Sequence, residues 1–393
     1  MIYFDSAATT KPCRESIDAM TEAFTRIWGN PSSRHRLGTE ARSALEGARA
    51  DILKTLGARG RAAGDASHPA LIFTGSGTEA TNMAILGVCR SKRRRGRIII
   101  SGGEHSATEN AAVEAAAEGF EVVKIPTARG VLDMEALAEA LTPDTVLLSL
   151  MMVNNETGAV YDVGRAFAEA KRRVPDIVCH CDAVQGYMKI PFSVLSLGAD
   201  LVTISAHKIN GPCGIGALYV GGDIYKRRQL SPIIFGGGQE SGLRSGTEDV
   251  AEALGFAAAA KRAYAVLTDE AKVTDELRRY IISEAEEKMP SVTVNLPERS
   301  APHIISLTLH DIKSETMLNY LSGRGICVSS GSACSSHSRN ISRALTAFGI
   351  SERDADTTIR VSIWADNTRA EADELIRALS DGIKTLSRIG GRR

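Results

Sequence analysis

The sequence lacks several features that mark particular classes of protein. Aromatic residues make up only 5% of the 393 residues, and no uninterrupted apolar run approaches the roughly 18 residues needed to span a bilayer. Neither sign of charge is in excess, because 47 Lys and Arg balance 47 Asp and Glu. Such neutrality argues against nucleic acid or an anionic membrane as the main partner. We therefore expect no direct contact with nucleic acid and no membrane association.

Cysteines are few, and no secretory leader is visible. The seven cysteines are an odd number, thinly spread along the chain, which fits reduced cytoplasmic thiols better than a disulfide framework. The opening MIYFD runs directly into structure, without a basic leader followed by an apolar stretch. We expect a cytoplasmic protein in which at least one thiol could be chemically active.

Short β-rich runs alternate with alanine-rich, helix-favouring stretches between residues 70 and 220. Most of the runs are near-continuously apolar, as expected of strands that are covered on both faces in a mostly parallel sheet. They lie at residues 71–73, 97–100, 121–125, 145–150, 176–179, 200–204 and 215–220. The pattern predicts a large α/β domain with helices on both faces of the sheet.

After residue 246 the pattern becomes that of a compact α+β domain. The predicted elements are a long charged helix at 248–288, strands at 292–296 and 304–309, a helix at 314–322, a strand at 358–362 and an amphipathic helix at 370–386. The expected division is a large domain of residues 15–255 and a small domain formed by residues 1–14 and 256–393.

Polar segments follow several predicted strands, at the edge where a parallel sheet binds its ligands. TGSGTEATN (74–82) places glycines and hydroxyls before a helix, where backbone N–H groups can hold a phosphate, although a plain turn and helix cap would look similar. It has neither the Walker A lysine nor the dinucleotide fingerprint.

His105 could cover a flat ligand or move protons, although a lone loop histidine is more often a cap or a surface residue. VNNETG (153–158) offers amides for an oxyanion or a carboxylate, or forms an Asx-rich turn.

Asp182 and Lys208 come after two further apolar strands. A buried carboxylate is costly unless it faces a cation or hydrogen-bond donors, so Asp182 requires a positive partner. The neighbouring Cys179, His180 and Cys181 suggest zinc, but consecutive strand side chains point to alternate faces, so we expect no metal. A lysine that is desolvated beside another cation becomes a nucleophilic amine, whereas extension into solvent is the ordinary alternative for Lys208.

Taken together, these groups match one cofactor. A phosphate cradle, an aromatic cap, a carboxylate for a pyridinium nitrogen and a strand-end lysine are the contacts that pyridoxal 5′-phosphate requires. A nicotinamide or nucleotide would use the phosphate loop but would leave Lys208 and Asp182 without a role.

Ten motifs, in order along the chain, resemble those of the NifS/IscS-like cysteine desulfurases in the class V aminotransferase family of pyridoxal-phosphate enzymes. They are YFDSAATT (3–10), GNPSSRH (29–35), TGSGTEATN (74–82), EH (104–105), NNE (154–156), DAVQ (182–185), SAHK (205–208), GGGQE (236–240), LRSGT (243–247) and SSGSAC (329–334). Any one motif is weak, but ten in order are highly specific. The resemblance implies fold type I: a large domain with a mostly parallel seven-stranded sheet between helices, and a smaller α+β domain.

The resemblance also implies the roles of the matching residues. Lys208 would condense with the cofactor aldehyde, Asp182 would pair with the pyridinium nitrogen, and Gln185 would reach the phenolic oxygen. His105 would stack on the ring and help to move protons. Gly77, Thr78, Ser205 and His207 would hold the phosphate, with Thr247 reaching it from the neighbouring subunit of a homodimer. Asn155, which is also among the implied cofactor-binding residues, would clamp the substrate carboxylate together with Arg360.

Cys334 is the implied nucleophile, although a small residue in a serine-rich loop is the ordinary reading. Its thiolate would take the sulfur of L-cysteine, which leaves L-alanine and an enzyme persulfide. The sulfur would pass to an acceptor protein, either an iron–sulfur scaffold or a tRNA-thiolation protein. Two residues depart from the family pattern: Cys213 replaces a common lysine, and Trp364 stands where glycine is usual.

Three alternatives share parts of this pattern. A selenocysteine lyase or another class V aminotransferase would use the same cofactor residues, but a transaminase needs no thiol at Cys334. A non-enzymatic binding platform is the third alternative, and it would have no use for a reactive amine at Lys208.

Overall fold

The computed structural model describes residues 1–58, 71–331 and 342–390. The strands are β1 (Ile2–Tyr3), β2 (Leu71–Thr74), β3 (Arg97–Ser101), β4 (Glu121–Ile125), β5 (Thr145–Met151), β6 (Val178–Asp182), β7 (Leu201–Ser205), β8 (Gly216–Val220), β9 (Thr293–Val294), β10 (Ile304–Thr308), β11 (Ile326–Cys327), β12 (Ser329–Ser330) and β13 (Thr358–Ser362). The helices are α1 (Arg14–Arg26), α2 (Arg36–Thr55), α3 (Gly77–Ser91), α4 (Ser106–Ala117), α5 (Met134–Ala140), α6 (Val163–Arg173), α7 (Val194–Leu197), α8 (Gly222–Lys226), α9 (Val250–Lys288), α10 (Ser314–Ser322), α11 (Arg343–Phe348), α12 (Glu352–Ala355) and α13 (Arg369–Gly390).

Seven strands form the large sheet, in the order β2-β8-β7-β6-β5-β3-β4. Only β8 runs against its neighbours, since it pairs antiparallel with both β2 and β7. Apolar cores cover both faces, as the isoleucines of β3 illustrate. Ile99 packs into one core while Ile98 and Ile100 pack into the other, and all three are fully buried. This double coverage explains the near-continuous apolar runs and confirms the predicted fold class.

A four-stranded antiparallel sheet, in the order β12-β13-β10-β9, lies in the C-terminal part of the chain. It shares a third apolar core with α10, α13 and the end of α9. The 39-residue helix α9 links the cores, because Phe256 lies in the first and Ile281 in the third. The N-terminal strand β1 pairs in parallel with β11. The exact division at residues 14/15 and 255/256 stays a prediction.

Some elements differ from the sequence-based expectation. The strand predicted at 176–179 is β6, which begins later and extends to Asp182. Helices α1 and α2 and the two-residue strands β11 and β12 were not predicted. Within the described ranges, no helix combines the length and the apolar composition that a membrane crossing requires.

Candidate active site

Three parallel strands bring their polar ends to one edge of the large sheet. Met151, Asp182 and Thr203 lie side by side in register across β5, β6 and β7. Asp182 is the last residue of β6 and Ser205 is the last residue of β7. Because β2 runs in the same direction, helix α3, which follows it, begins at the same edge. The carboxyl ends of the strands therefore form the predicted ligand-binding edge.

Lys208 lies in the 3₁₀ turn that follows β7; the residue is half-buried, and two backbone carbonyls hold its amine. Nζ donates to the backbone carbonyls of Ala7 at 2.8 Å and Ala8 at 2.7 Å. The N-terminal segment is held there because the N–H and the hydroxyl of Thr10 both donate to the His207 carbonyl at 2.8 Å. The amine of Lys208 therefore does not extend into bulk solvent, and its alternative role as a surface lysine is excluded.

Asp182 is the buried carboxyl of the site. Its side chain accepts from the Val184 N–H at 3.0 Å through Oδ1, which orients the group. Burial raises the pKa of Asp182, while the nearby His105, the Val184 N–H and Lys208 act in the opposite direction. Among the ion pairs of the described residues, none includes Asp182. A cation supplied by a ligand would therefore stabilise the ionised carboxylate.

The start of α3 provides an anion site beside β7. Ser76 caps the helix by accepting from the Glu79 N–H, and Gly77 and Thr78 occupy the first turn, where helix N–H groups lack partners within the helix. Gly77 lies close to the sheet, since a Cβ there would be 3.1 Å from Val184 Cγ2 and 3.4 Å from Ser205 Cβ. The predicted phosphate residues of α3 and β7 are therefore adjacent.

His207, the fourth predicted phosphate residue, is neutral at physiological pH. Burial, together with the charges of Lys208 and Lys189, lowers the pKa of His207 to about 4. Its Nδ1 lies 3.2 Å from Thr9 Oγ1. A neutral imidazole can donate one hydrogen bond to a phosphate without carrying charge.

His105 caps α4, because its Nδ1 accepts from the Ala107 N–H at 3.1 Å. The preceding Glu104 is 5% exposed, and its Oε1 accepts from Ser101 Oγ at 2.5 Å and from the Met151 N–H at 2.8 Å. Burial raises the pKa of Glu104 to about 8. Sequence reasoning predicted His105 but gave Glu104 no role. In the EH motif, His105 caps α4, and the buried Glu104 forms a hydrogen bond that connects its loop to β5.

Gln185 has both ends of its carboxamide engaged. Nε2 donates to the Ala7 carbonyl at 2.8 Å, the same oxygen that accepts from Lys208. Oε1 accepts from Lys189 Nζ at 3.0 Å and lies 3.4 Å from His303 Nε2. Lys189 and His303 are site residues that sequence reasoning missed. The only available signal for Lys189 was its spacing of four residues after Gln185.

Arg360 lies on β13 and is 3% exposed. Its Nη1 donates to the backbone carbonyl of Asn155 at 2.9 Å and its Nη2 to Asp5 Oδ1 at 3.0 Å. Arg360 Nε is buried and donates to no atom in the described part of the chain. The two predicted substrate-binding residues are thus adjacent, and the Nε–H of Arg360 is unused within the described ranges.

Glu156, the third residue of the NNE motif, lies close to Gly331 and Ser342, the described residues on either side of positions 332–341. Ser342 Oγ donates to Glu156 Oε2 at 2.5 Å, and a Cβ on Gly331 would lie 2.7 Å from the same oxygen. Burial raises the pKa of Glu156 to about 7, although Ser342, Arg360 and His105 act against the rise. The predicted nucleophile Cys334 lies outside the described residues. Thr247 is exposed, and its contact with a second subunit stays a prediction.

The zinc alternative receives no support from β6. His180 is fully buried between Ser149 Oγ at 2.8 Å and Thr203 Oγ1 at 2.9 Å. Burial lowers its pKa to about 3. Over residues 1–58, 71–331 and 342–390, no three His, Cys, Asp or Glu side chains lie together as a metal-binding group.

The residues at this edge fit pyridoxal 5′-phosphate. The close approach at Gly77 leaves backbone N–H groups for the phosphate, Asp182 offers a carboxylate to a ring N–H, and Lys208 offers an amine to the aldehyde. Gln185 and Lys208 share the Ala7 carbonyl, so the predicted contacts for the phenolic oxygen and the aldehyde are neighbours. These three kinds of group are the ones that bind the cofactor in pyridoxal-phosphate enzymes.

The chain is similar to known proteins over nearly its whole length. The family model for aminotransferase class V matches residues 2–375. Cysteine desulfurase IscS of Dictyoglomus turgidum is 37% identical over 392 residues, which cover 98% of this chain and 96% of that protein. A solved structure of a NifS-like protein superposes with a TM-score of 0.88 at 33% identity, covering 98% of this chain and 99% of that one. A structure described as SspA in complex with cysteine has a TM-score of 0.77 at 30% identity and covers 92% and 99%.

Proposed function

Because the chain belongs to the aminotransferase class V family, we propose that the site around Lys208 carries out the reaction for which its relatives are named. The protein is a cysteine desulfurase that depends on pyridoxal 5′-phosphate. It converts L-cysteine into L-alanine and retains the sulfur for transfer. The observation that carries the proposal is the convergence of Lys208, Asp182 and Gln185 with the start of α3 at one sheet edge.

The chain's own residues bind and orient the reactants. Bound pyridoxal 5′-phosphate supplies an electron sink for the pair released when the Cα proton leaves. Asp182 stabilises a protonated ring nitrogen, which strengthens that sink, and the α3 N–H groups anchor the phosphate. Lys208 would hold the cofactor. His105, whose charge lowers the pKa values of Asp182 and Glu156, would stack on the ring and move the proton.

Arg360 and Asn155 orient the substrate. The unused Arg360 Nε is buried, so a substrate carboxylate that accepts from it gains a charge-assisted hydrogen bond. Asn155 lies against the same guanidinium through its backbone carbonyl, which leaves its side-chain amide to contact the substrate or the cofactor.

Cys334 receives the sulfur. Its thiolate forms a bond to the sulfur of L-cysteine, the carbon–sulfur bond breaks, and the bonding electrons stay with the carbon skeleton, which takes up protons and becomes L-alanine. The products are L-alanine and one persulfide on Cys334, and no external oxidant is consumed. The support from this chain is the SSGSAC motif (329–334) and the position at Glu156, beside the site, of Gly331 within that motif and of Ser342 after it.

A homodimer would complete the site. Thr247 is exposed in the single chain, and Phe235, at the other end of the same glycine-rich segment, is 80% exposed. Coverage by a second copy would remove this apolar surface from water and bring Thr247 to the partner's phosphate. The persulfide then passes its sulfur to an acceptor protein, either an iron–sulfur scaffold or a tRNA-thiolation protein.

The test is to incubate the cofactor-loaded protein with L-cysteine, and to measure L-alanine and the mass of the peptide that contains Cys334. Wild type should form L-alanine and gain one sulfur atom on that peptide. Cys334→Ala should keep the absorbance of bound cofactor but form no L-alanine. Cys213→Ala is the matched control, because Cys213 is an exposed thiol near Lys208 and should be dispensable. L-Alanine production by Cys334→Ala at the wild-type rate would reject the role of this thiol.

A further inference from the structure

We propose that Lys189 is a positioning residue: it fixes the Gln185 carboxamide so that an N–H, and not the C=O, faces the phenolic oxygen of the cofactor. The inference rests on the proposed function, since it requires bound pyridoxal 5′-phosphate. It deepens that function by adding Lys189 as a residue that acts on the cofactor through Gln185.

Two polar side chains meet at the oxygen of Gln185. Lys189 is 4% exposed and donates to Gln185 Oε1 at 3.0 Å. His303, which is 1% exposed, places Nε2 at 3.4 Å from the same oxygen. Trp364 also lies near the lysine, with its ring centroid 5.7 Å from Lys189 Nζ. The lysine amine therefore contacts both the carboxamide and an aromatic ring.

The Lys189 amine and the Ala7 carbonyl decide which way the Gln185 carboxamide faces. A glutamine side chain has one acceptor oxygen and two N–H donors. With the oxygen on Lys189 and His303, Nε2 donates one hydrogen to the Ala7 carbonyl and keeps the second for the cofactor. In the reverse orientation an N–H of Gln185 would face the Lys189 amine, and the C=O would face the Ala7 oxygen. Both contacts would be repulsive, so the network selects one orientation.

Lys189 has no evident structural reason to be a lysine. Burial of an amine is costly unless a carboxylate compensates it, and no Asp or Glu of the described ranges forms an ion pair with it. Glu270 lines the same small cavity but pairs with Arg262 at 2.9 Å. Methionine or leucine would pack at this position at lower cost, so the amine is retained for its hydrogen bond.

The charges around Lys189 are mostly positive. Burial, with the charges of Lys208 and Arg360, lowers the pKa of Lys189 well below its usual value. His303 faces it with a pKa that burial also lowers. An uncharged amine still has two N–H groups to donate to Gln185 Oε1, and the Ala7 carbonyl can accept only from an N–H, so Gln185 keeps its orientation when Lys189 loses its charge.

The consequence is a shift in the pH at which the bound cofactor changes its absorbance. The linkage between Lys208 and the cofactor carries a proton that it shares with the phenolic oxygen. An N–H donated by Gln185 stabilises the deprotonated form of that oxygen, so the shared proton is lost at a lower pH. Asp182, His105 and His207, on β6, before α4 and in the turn after β7, are the other titratable residues predicted to contact the cofactor, and they are unchanged in the variants, so a shift reports on the contact between Lys189 and Gln185.

The experiment is a pH titration of the visible absorbance of the loaded enzyme. Lys189→Met should move the transition upward by about one pH unit, the size expected for one hydrogen bond. Lys189→Gln keeps an N–H donor without the charge and should restore the transition to near the wild-type pH. Lys261→Met is the control, because Lys261 is an exposed lysine that pairs with Asp51, and it should give no shift.

Two results would overturn the inference: no shift in Lys189→Met, or an equal shift in Lys189→Gln, which would mean that charge alone acts. If Lys189→Met does not fold with cofactor, His303→Phe removes the second polar side chain at the same oxygen and should give a smaller upward shift, and the absence of that shift would also overturn the inference. Failure of the proposed function looks different, because wild type itself would then bind no cofactor and show no visible band.

Discussion

Replacement of Arg360 by lysine should weaken the use of L-cysteine and leave the cofactor undisturbed. Arg360 is 3% exposed, and its two terminal nitrogens are occupied by the Asn155 carbonyl at 2.9 Å and Asp5 Oδ1 at 3.0 Å. Its buried Nε has no acceptor within the described ranges. Lysine keeps the positive charge, but its single amine cannot serve Asp5, Asn155 and a substrate carboxylate together.

The magnitude follows from the hydrogen bond that is lost. A hydrogen bond to a charged group is worth about 1.5–3 kcal/mol, which corresponds to a drop of roughly 10- to 150-fold in kcat/KM. Most of the change should be a rise in KM, since the carboxylate is bound in both the ground state and the transition state. Asp5→Asn should act in the opposite direction. It keeps an acceptor for Nη2 but removes the negative charge that competes with the substrate carboxylate, so KM should fall.

The assay is L-alanine formation as a function of L-cysteine concentration, with the cofactor spectrum recorded for each variant. An unchanged spectrum shows that the pyridoxal site is intact. A kcat/KM within about threefold of wild type for Arg360→Lys, less than one hydrogen bond is worth, would refute the assigned role. A rise in KM for Asp5→Asn would show that the substrate carboxylate does not compete with Asp5.

Three further changes test the fold and the cofactor site. Arg49→Met leaves the buried Glu240 carboxylate, which is 2.7 Å from Arg49 Nη1, without its partner. It should lower the free energy of unfolding in urea by about 3–5 kcal/mol, and a loss no larger than that of an exposed pair would contradict this. The pKa of Glu104 is raised from 4.5 to about 8, so its contribution to stability is full below pH 4.5 and is lost as the pH rises to 8. Glu104→Gln should flatten that fall in unfolding free energy, and an unchanged pH profile would show that the carboxyl does not titrate there. Gly77→Ala, whose Cβ would lie 3.1 Å from Val184 Cγ2, should raise the dissociation constant of pyridoxal 5′-phosphate by about tenfold, the cost of a lost charge-assisted contact, whereas Gly47→Ala, with open space around it, should not.

Much of the fold could be predicted because burial on both faces leaves a strong pattern in sequence. The seven predicted strands of the large sheet are all present, and β10, β13 and α10 also lie where the pattern indicated. The direction of β8 could not be predicted, because a five-residue apolar strand looks the same in either direction. Helices α1 and α2 were missed, and β11 and β12, with two residues each, are too short to carry a period.

The site was predictable where its chemistry follows a strand and was missed where it depends on distant contacts. Asp182 and Lys208 are visible because charged groups are rare directly after buried strands. His303 is 118 residues from Gln185, and Ser342 is 186 residues from Glu156, so nothing local indicates either contact. The family resemblance supplied a role for Gln185 that no pattern would have given, and it singled out Asn155 among the amides of the VNNETG segment.

The amino-acid order by itself determined the alternation of apolar strands and helices, the polar groups that follow them and the class of cofactor that they suit, because each of these is written within a few neighbouring residues. The tertiary structure alone decided which carbonyls hold the amine of Lys208, which way the amide of Gln185 faces, and which nitrogen of Arg360 remains unused. Those are contacts between segments up to 355 positions apart. The sequence specifies these contacts only through the packing of the whole core. The free energy of each hydrogen bond depends on how far packing has removed its donor and acceptor from water.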